Sequence, residues 1–316
     1  MKEFLIFSTL IYGFLFLGWG ARKVRPALQA YSRTISRWTI MLIETPTIVL
    51  IYWGIKSEQF LFHLGIPFIF VGVMSVSGLA GLLVARLYGQ NRPSTGAFTV
   101  AAMFSNNGPT MGGFLCLLYL GSEALVISQI YALFCIPYYF TVVLLTARIF
   151  SPGRKTNLWH AVKMNFSDPI SILPISATVI GLVLGFTDTE FPPFLDLPRR
   201  ILVFAAVILY SISFGLGMQI RVMAKKITTY LGMLPIKFLL APAAGFLLCL
   251  LFGYTLATDP LAFKVILIQS AMPAAIWSVV ACKLFNLDDN LAVGLWIFTT
   301  VAVAGLLPLI DWLARL

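Results

Sequence analysis

Two short polar interruptions carry the residues best suited to hold a small ligand. The first is Ser105-Asn106-Asn107-Gly108-Pro109, and the second is Gln269-Ser270-Ala271-Met272-Pro273. Both lie inside long apolar runs, and their prolines are 164 positions apart in a chain of 316 residues. A proline inside a helix donates no backbone hydrogen bond and collides with the carbonyl four residues earlier. In hydrocarbon the freed groups have no water to bond, so such backbone persists only where it is buried in protein or lines a cavity. The side chains of Asn106, Asn107, Gln269 and Ser270 can patch those groups or bind a ligand. Each break also starts a new half-helix, just after Gly108 and just after Met272. Such starts carry partial positive charge and free N–H groups, which suit a carboxylate. One break alone reads as a kink patched by local amides. A matched pair, one in each half of the chain, points to the binding site of a membrane carrier.

The elements that must position these residues are membrane spans. Hydrophobic residues make up 59% of the chain and charged residues 11%, a balance far from that of soluble domains. Ten apolar runs stand out, most of them long enough for a hydrocarbon core of ~30 Å: Glu3 to Gly20, Trp38 to Ile55, Leu64 to Leu87, Thr95 to Leu120, Ala124 to Phe150, Ser171 to Phe186, Ile201 to Gln219, Tyr230 to Gly253, Ala262 to Phe285 and Leu291 to Leu313. The predicted fold is therefore an all-α integral membrane protein of ten transmembrane helices in a 5+5 inverted repeat. Residues 1–150 form the first repeat, 151–170 a cytoplasmic linker and 171–316 the second repeat. An odd number of spans per half inverts the second half, so the half-helix starts of runs four and nine face one another near the midplane. Pro67 and Pro235, which open runs three and eight, are 168 apart and follow nearly the same offset.

The net charge of +10 is a topology signal. Of the 22 basic residues, 15 fall on one side of the spans: Arg22, Lys23, Arg25, Arg33, Arg37, Arg86, Arg92, Arg148, Arg154, Lys155, Lys163, Arg221, Lys225, Lys226 and Lys283. The positive-inside rule makes that side cytoplasmic and places both termini outside. No nucleic-acid partner is implied. The charge at Arg22 and Lys23 follows the first apolar run, unlike the n-region of a signal peptide, so this run reads as a retained helix. The linker contains Trp159, Val162 and Phe166 within two helical turns and reads as a short amphipathic helix on the cytoplasmic surface. The outer loop Thr187 to Pro198, with Pro192-Pro193, reads as an extended connector. Cys116, Cys135, Cys249 and Cys282 lack metal-site spacing and read as small buried residues.

Three further residues qualify for chemistry. Glu44 lies near the centre of run two, in Ile43-Glu44-Thr45-Pro46. An acid at that depth costs about 2.5–3.5 kcal/mol on insertion scales and must face protein or water. It is a candidate for proton coupling or contact with a polar substrate group; the alternative is a buried pair with a basic residue. Lys237 lies ~10 Å inside run eight and is within reach of snorkelling to the cytoplasmic surface. Trp277, one turn beyond Pro273, either lines a cavity or packs. Metalloprotease, phosphate-loop and nucleophile-elbow motifs are absent from the sequence.

Phe104-Ser105-Asn106-Asn107-Gly108-Pro109, followed by Gly121-Ser122-Glu123-Ala124, resembles the auxin efflux carrier family, including its bacterial malate or malonate permease-like members. The likeness returns in Gln269-Ser270-Ala271-Met272-Pro273-Ala274-Ala275, in Lys283-Leu284-Phe285 and in Lys237 to Pro242. It implies a fold shared with bile acid sodium symporters. Helices one, two, six and seven would form a scaffold and a homodimer surface. The remaining helices would form a transport domain that moves like an elevator, with helices four and nine broken and crossing at their prolines. Substrate would sit beside that crossing, at Asn106, Asn107, Pro109, Gln269 and Pro273.

The expected function is secondary transport of a small organic anion, a carboxylate or dicarboxylate, across a plasma membrane, with no cofactor and with membrane lipid as surroundings. Gly108, Ser270 and Trp277 complete the expected substrate site. Coupling runs either to sodium at Asn106, Asn107 and Gln269, whose oxygens suit a hard cation, or to protons through Glu44. A receptor on the same fold and an intramembrane enzyme are the rival classes. A compartment-sensitive reporter fused after Leu316 is expected to be active only outside the cytoplasm; cytoplasmic activity would contradict the charge-derived topology.

Overall fold

The computed structural model describes residues 2–54, 63–107, 111–152, 158–187, 190–218 and 226–315. The described residues fold into helices with no sheet, as expected where lipid cannot satisfy exposed backbone. In chain order these are α1 Lys2–Val24, α2 Pro26–Trp53, α3 Ile66–Leu87, α4 Arg92–Met103, α5 Met111–Leu120, α6 Glu123–Phe150, α7 Leu158–Asn165, α8 Pro169–Phe186, α9 Pro193–Gly217, α10 Ile227–Leu251, α11 Pro260–Ser270, α12 Ile276–Leu284, α13 Asp289–Ala302 and α14 Leu307–Arg315. Six of them (α2, α3, α6, α8, α9 and α10) are long and apolar enough to cross a membrane. A further candidate is α13 with α14, bent by 51° at the break between them. Runs four and nine are each divided, into α4 with α5 and α11 with α12. No half of these two runs reaches the ~20 residues a lone span requires.

The helices pack in two neighbourhoods. Helix α1 lies along α9, and α2 packs on α8 and α9. Helix α3 packs on α4 and α10, α10 packs on α11, and α4 touches α6, α12 and α13. Two findings differ from the sequence reading. The connector expected to be extended from Thr187 to Pro198 is shorter, because α9 begins at Pro193, whose fixed φ suits a first helical turn; residues 188 and 189 lie outside the described ones. Lys283, expected in a cytoplasmic loop, is buried and ties neighbourhoods together. Its ammonium donates to the Ser213 carbonyl of α9 and to Ser32 Oγ of α2, while Arg33 Nε donates to the Lys283 carbonyl at 2.9 Å. These cations sit on carbonyls near helix C-termini, where the dipole favours them.

Helix starts are fixed by side-chain caps. Asn91 accepts from Ser94 N–H at 3.0 Å to start α4, and Asp259 accepts from Ala262 N–H at 2.9 Å to start α11. The two broken spans thus begin alike, each with a proline in the first turn. Three helices contain one widened turn: Thr39–Glu44 in α2, Tyr139–Val143 in α6 and Ile236–Leu240 in α10. Each lies within two residues of a proline, at Pro46, Pro137 and Pro235. Threonine hydroxyls take up displaced carbonyls: Thr45 bonds Ile40 O at 2.9 Å, Thr47 bonds Ile43 O at 2.6 Å and Thr141 bonds Pro137 O at 2.6 Å. Widened turns recur at functional positions, and these three hold Glu44, Tyr139 and Lys237.

At the starts of α4 and α13, Asp288 accepts from the Lys226 ammonium, from Ser94 Oγ at 2.7 Å and from Leu291 N–H at 3.0 Å. Burial pushes the Asp288 carboxyl up, but those hydrogen bonds outweigh it and hold the group below its ordinary value. A carboxyl depressed on folding adds stability above its unfolded pKa, and this is lost as pH falls through the folded value. In detergent, Asp288→Ala is expected to lower stability by about 0.5–2 kcal/mol at neutral pH, the range for losing such a cap. The difference from the parent protein should shrink on acidification below about pH 4. Thermal unfolding across pH checks both; a difference independent of pH would rule the assignment out.

Candidate binding site at the helix crossing

The two interruptions meet. Ser105 and Ala274 face each other across an isolated antiparallel bridge. Asn106 N–H donates to Pro273 O at 2.8 Å, and Ala275 N–H donates to Phe104 O at 3.0 Å. Four backbone groups freed from helix geometry therefore satisfy one another, which removes most of the penalty of burying them. The rest of the crossing is fastened around this bridge. Gly112 N–H donates to Asn106 O at 3.1 Å, Asn107 Nδ2 donates to Gln269 O at 2.7 Å, and Ala274 N–H donates to Thr299 Oγ1 of α13 at 3.1 Å.

Each expected site residue has a definite place. Asn107, Gln269 and Ser270 are buried. Asn107 closes the end of α11. The Gln269 side chain lies against Gly112, where a methyl group would collide with its amide oxygen, and its Nε2 approaches Cys116 Sγ at 3.7 Å. The Ser270 hydroxyl donates back to Ile266 O at 2.7 Å, with the Tyr131 hydroxyl 3.3 Å away. Pro273 is buried and lends its carbonyl to the bridge. Asn106 and Trp277 are only half-buried. Trp277 packs within an aromatic group, its ring centroid 4.8 Å from Tyr139, 5.9 Å from Phe140 and 6.3 Å from Phe104. Its carbonyl accepts from the Tyr139 hydroxyl at 2.9 Å. Gly108 and Pro109 lie outside the described residues.

Lys237 corrects the snorkelling expectation. It is 0% exposed. Its ammonium donates to Ala102 O at 2.7 Å, to Ser105 Oγ at 2.8 Å and to Phe104 O at 3.4 Å. The widened turn of α10 places it there. A buried ammonium with three oxygen acceptors at a helix C-terminus gains both the hydrogen bonds and the dipole, whereas its reach towards water would forfeit them. The available sequence signal was a lysine between Pro235 and Pro242 deep in an apolar run. Tyr139 and Thr299, which also brace the crossing, carried no such signal: a tyrosine and a threonine are ordinary in a span.

Glu44 stands apart from the crossing. It is 6% exposed, on α2, and no ion pair to it occurs among the described residues. It acts electrostatically on Tyr139 and Cys135 of α6 and on Tyr210 of α9. Tyr139 therefore feels the charge of Glu44 and also bonds the Trp277 carbonyl. Among the described residues no group of three or more His, Cys, Asp and Glu side chains is placed to hold a metal ion.

The architecture is that of a helical membrane protein in which two broken helices cross and leave half-helix starts α5 and α12 beside the crossing. The first-turn N–H groups of such helices have no intrahelical acceptor. The chain is 25% identical over 296 residues to an uncharacterised transporter of the archaeon Methanocaldococcus jannaschii, a match covering 90% of each chain. No family model matches the chain. The fold and this relative together support a transporter-like membrane protein.

Removing the Lys237 ammonium leaves three oxygens at the crossing without a donor. Lys237→Met is expected to destabilise the protein by about 3 kcal/mol, on the scale of hydrogen bonds to a charged group. Thermal unfolding in detergent measures it, and an unchanged midpoint would show that the ammonium does not hold the crossing.

Proposed function

We propose that the protein is a secondary carrier for a small organic anion, a carboxylate or dicarboxylate, bound beside the helix crossing. The observation that carries this reading is the bridge between Ser105 and Ala274, which sets the starts of α5 and α12 beside the half-buried Asn106 and Trp277. Two helix starts supply N–H donors and partial positive charge to one small volume, and a carboxylate matches both. Lys237 adds a buried amino donor nearby. In this reading Asn106, Trp277 and the first turns of α5 and α12 touch the substrate, as the sequence also leads one to expect of Gly108 and Pro109. Asn107, Gln269, Ser270 and Pro273 keep the breaks open and positioned.

The resemblance to the auxin efflux carrier family and the ten-helix inverted repeat belong to the same reading. The packing of α1, α2, α8 and α9 with one another fits a scaffold and a homodimer surface; the packing of α3, α4, α6 and α10 to α13 fits a body that moves as an elevator. A plasma membrane with both termini outside completes it. Lys237 bears on the coupling ion. Its ammonium already occupies a nest of two carbonyls and a hydroxyl, the kind of oxygen set that sodium takes. An amino group already filling that nest favours protons over sodium at Asn106, Asn107 and Gln269 as the coupling ion.

Reconstituted in liposomes, the protein is expected to exchange labelled dicarboxylate against unlabelled dicarboxylate without sodium. Asn106→Ala is expected to weaken half-saturation by about 10-fold, the loss of one charge-assisted hydrogen bond. Gln269→Ala, which acts through the geometry of the crossing, should lower the rate as well. Unchanged flux and affinity in both variants would overturn the site.

A further inference from the structure

Glu44 occupies a place that an ordinary structural acid does not. It lies at the end of the widened turn Thr39–Glu44, two residues before Pro46, on the side of α2 that meets other helices. The hydroxyl of Tyr210 on α9 is its hydrogen-bonding neighbour, and neither that hydroxyl nor Glu44 Oε2 completes a bond of good geometry. The titratable groups that face it are few. Helix α9 presents Tyr210, and α6 presents Cys135 and Tyr139. Helix α8 has no titratable side chain between Pro169 and Phe186. No lysine, arginine or histidine balances the carboxylate. An unpaired, buried carboxylate is too costly to persist, and the group takes a proton instead. The alternative of a buried ion pair, open on sequence grounds, is thereby answered for the described residues.

The position supplies the consequence. Helices α2 and α9 belong to one packed neighbourhood, and Tyr139 belongs to the other. Tyr139 also donates to the Trp277 carbonyl at the start of α12. Helix α6 packs on α8 of the first neighbourhood, and the Tyr52 hydroxyl of α2 donates to Leu133 O of α6, so sliding of α6 changes what lies around Glu44. We propose that Glu44 is the proton-binding site of the carrier: the acid is neutral while α6 covers it, and it gives up its proton when α6 moves away and water reaches it. The proton adds to one carboxyl oxygen from the aqueous side and leaves to water, so no other reactant is required. Glu44 and the Tyr210 hydroxyl beside it are the parts that rearrange between the two states. This inference rests on the carrier reading, because it assigns the proton to the same moving interface.

Two measurements separate it from that reading. In the first, the reconstituted protein is treated with an apolar carbodiimide, which adds the protonated carboxyl across its carbon–nitrogen bond to give an O-acylisourea, and labelling is read by mass spectrometry. Glu44 is expected to label at about pH 5, with labelling falling about tenfold per unit once pH passes the titration range of the carboxyl. Absence of labelling at every pH, or equal labelling at about pH 5 and about pH 9, overturns the proposal. This reading needs no substrate and so stands whether or not carboxylates are carried. In the second, a pH gradient is imposed on the liposomes at zero membrane potential, with a dicarboxylate as probe. The parent protein is expected to concentrate the probe up to about tenfold per unit of gradient. Glu44→Gln should keep dicarboxylate exchange and lose gradient-driven accumulation. Accumulation by Glu44→Gln equal to that of the parent overturns the proposal. Should Glu44→Gln fail to fold, proton movement by the parent during dicarboxylate flux decides: none overturns it. Labelled Glu44 without dicarboxylate exchange by the parent would instead reject the carboxylate reading alone.

Discussion

The structure depends on one backbone exchange. Two broken spans cross, and each gives the other the hydrogen bonds that lipid withholds: Asn106 N–H to Pro273 O and Ala275 N–H to Phe104 O. Without that exchange the breaks would be buried defects, each unpaired group costing on the order of 1–3 kcal/mol. With it, two helix starts can be held within the membrane in a fixed relation. The other features of the crossing follow from its geometry. Lys237 neutralises the exposed end of α4, Asn107 closes the end of α11, and Thr299 steadies Ala274 from α13.

Charge inside this protein follows a consistent rule. Lys237 and Lys283 are both buried, and both sit on backbone carbonyls near helix C-termini together with a serine hydroxyl. Each is a helix-end cation held by oxygen acceptors. Glu44 is the exception. Among the described residues it has neither a cation nor a helix start to stabilise a negative charge, and it lies where two helical neighbourhoods touch. The contrast between two lysines held by oxygen acceptors and one acid without a cation is the ground of the proposal for Glu44.

Much of the fold was legible because lipid imposes strong rules on sequence. Apolar runs marked the helices, and the polar interruptions with their prolines marked the breaks. What the sequence concealed was tertiary. Lys237 read as a surface-seeking side chain because its depth allowed that path; only the position of the α4 carbonyls shows why it turns inward. Lys283 read as a loop charge for the same reason. Ser270 read as a ligand group, and its hydroxyl is engaged with Ile266 O and near Tyr131. The pairing of Ser105 with Ala274, separated by more than half the chain, could be suspected from the matched spacing, but its register is a property of packing.

The claim at the centre of this account is that the crossed breaks hold a carboxylate through their backbone N–H groups. Hydrogen exchange of the protein in lipid nanodiscs, followed by mass spectrometry with and without a saturating dicarboxylate, addresses those groups directly. Slower exchange is expected at the first turns of α5 and α12, residues 111–113 and 276–278, with little change at the ends of α3 and α9. Slowing confined to other segments, with these two unchanged while the ligand is bound, would contradict it.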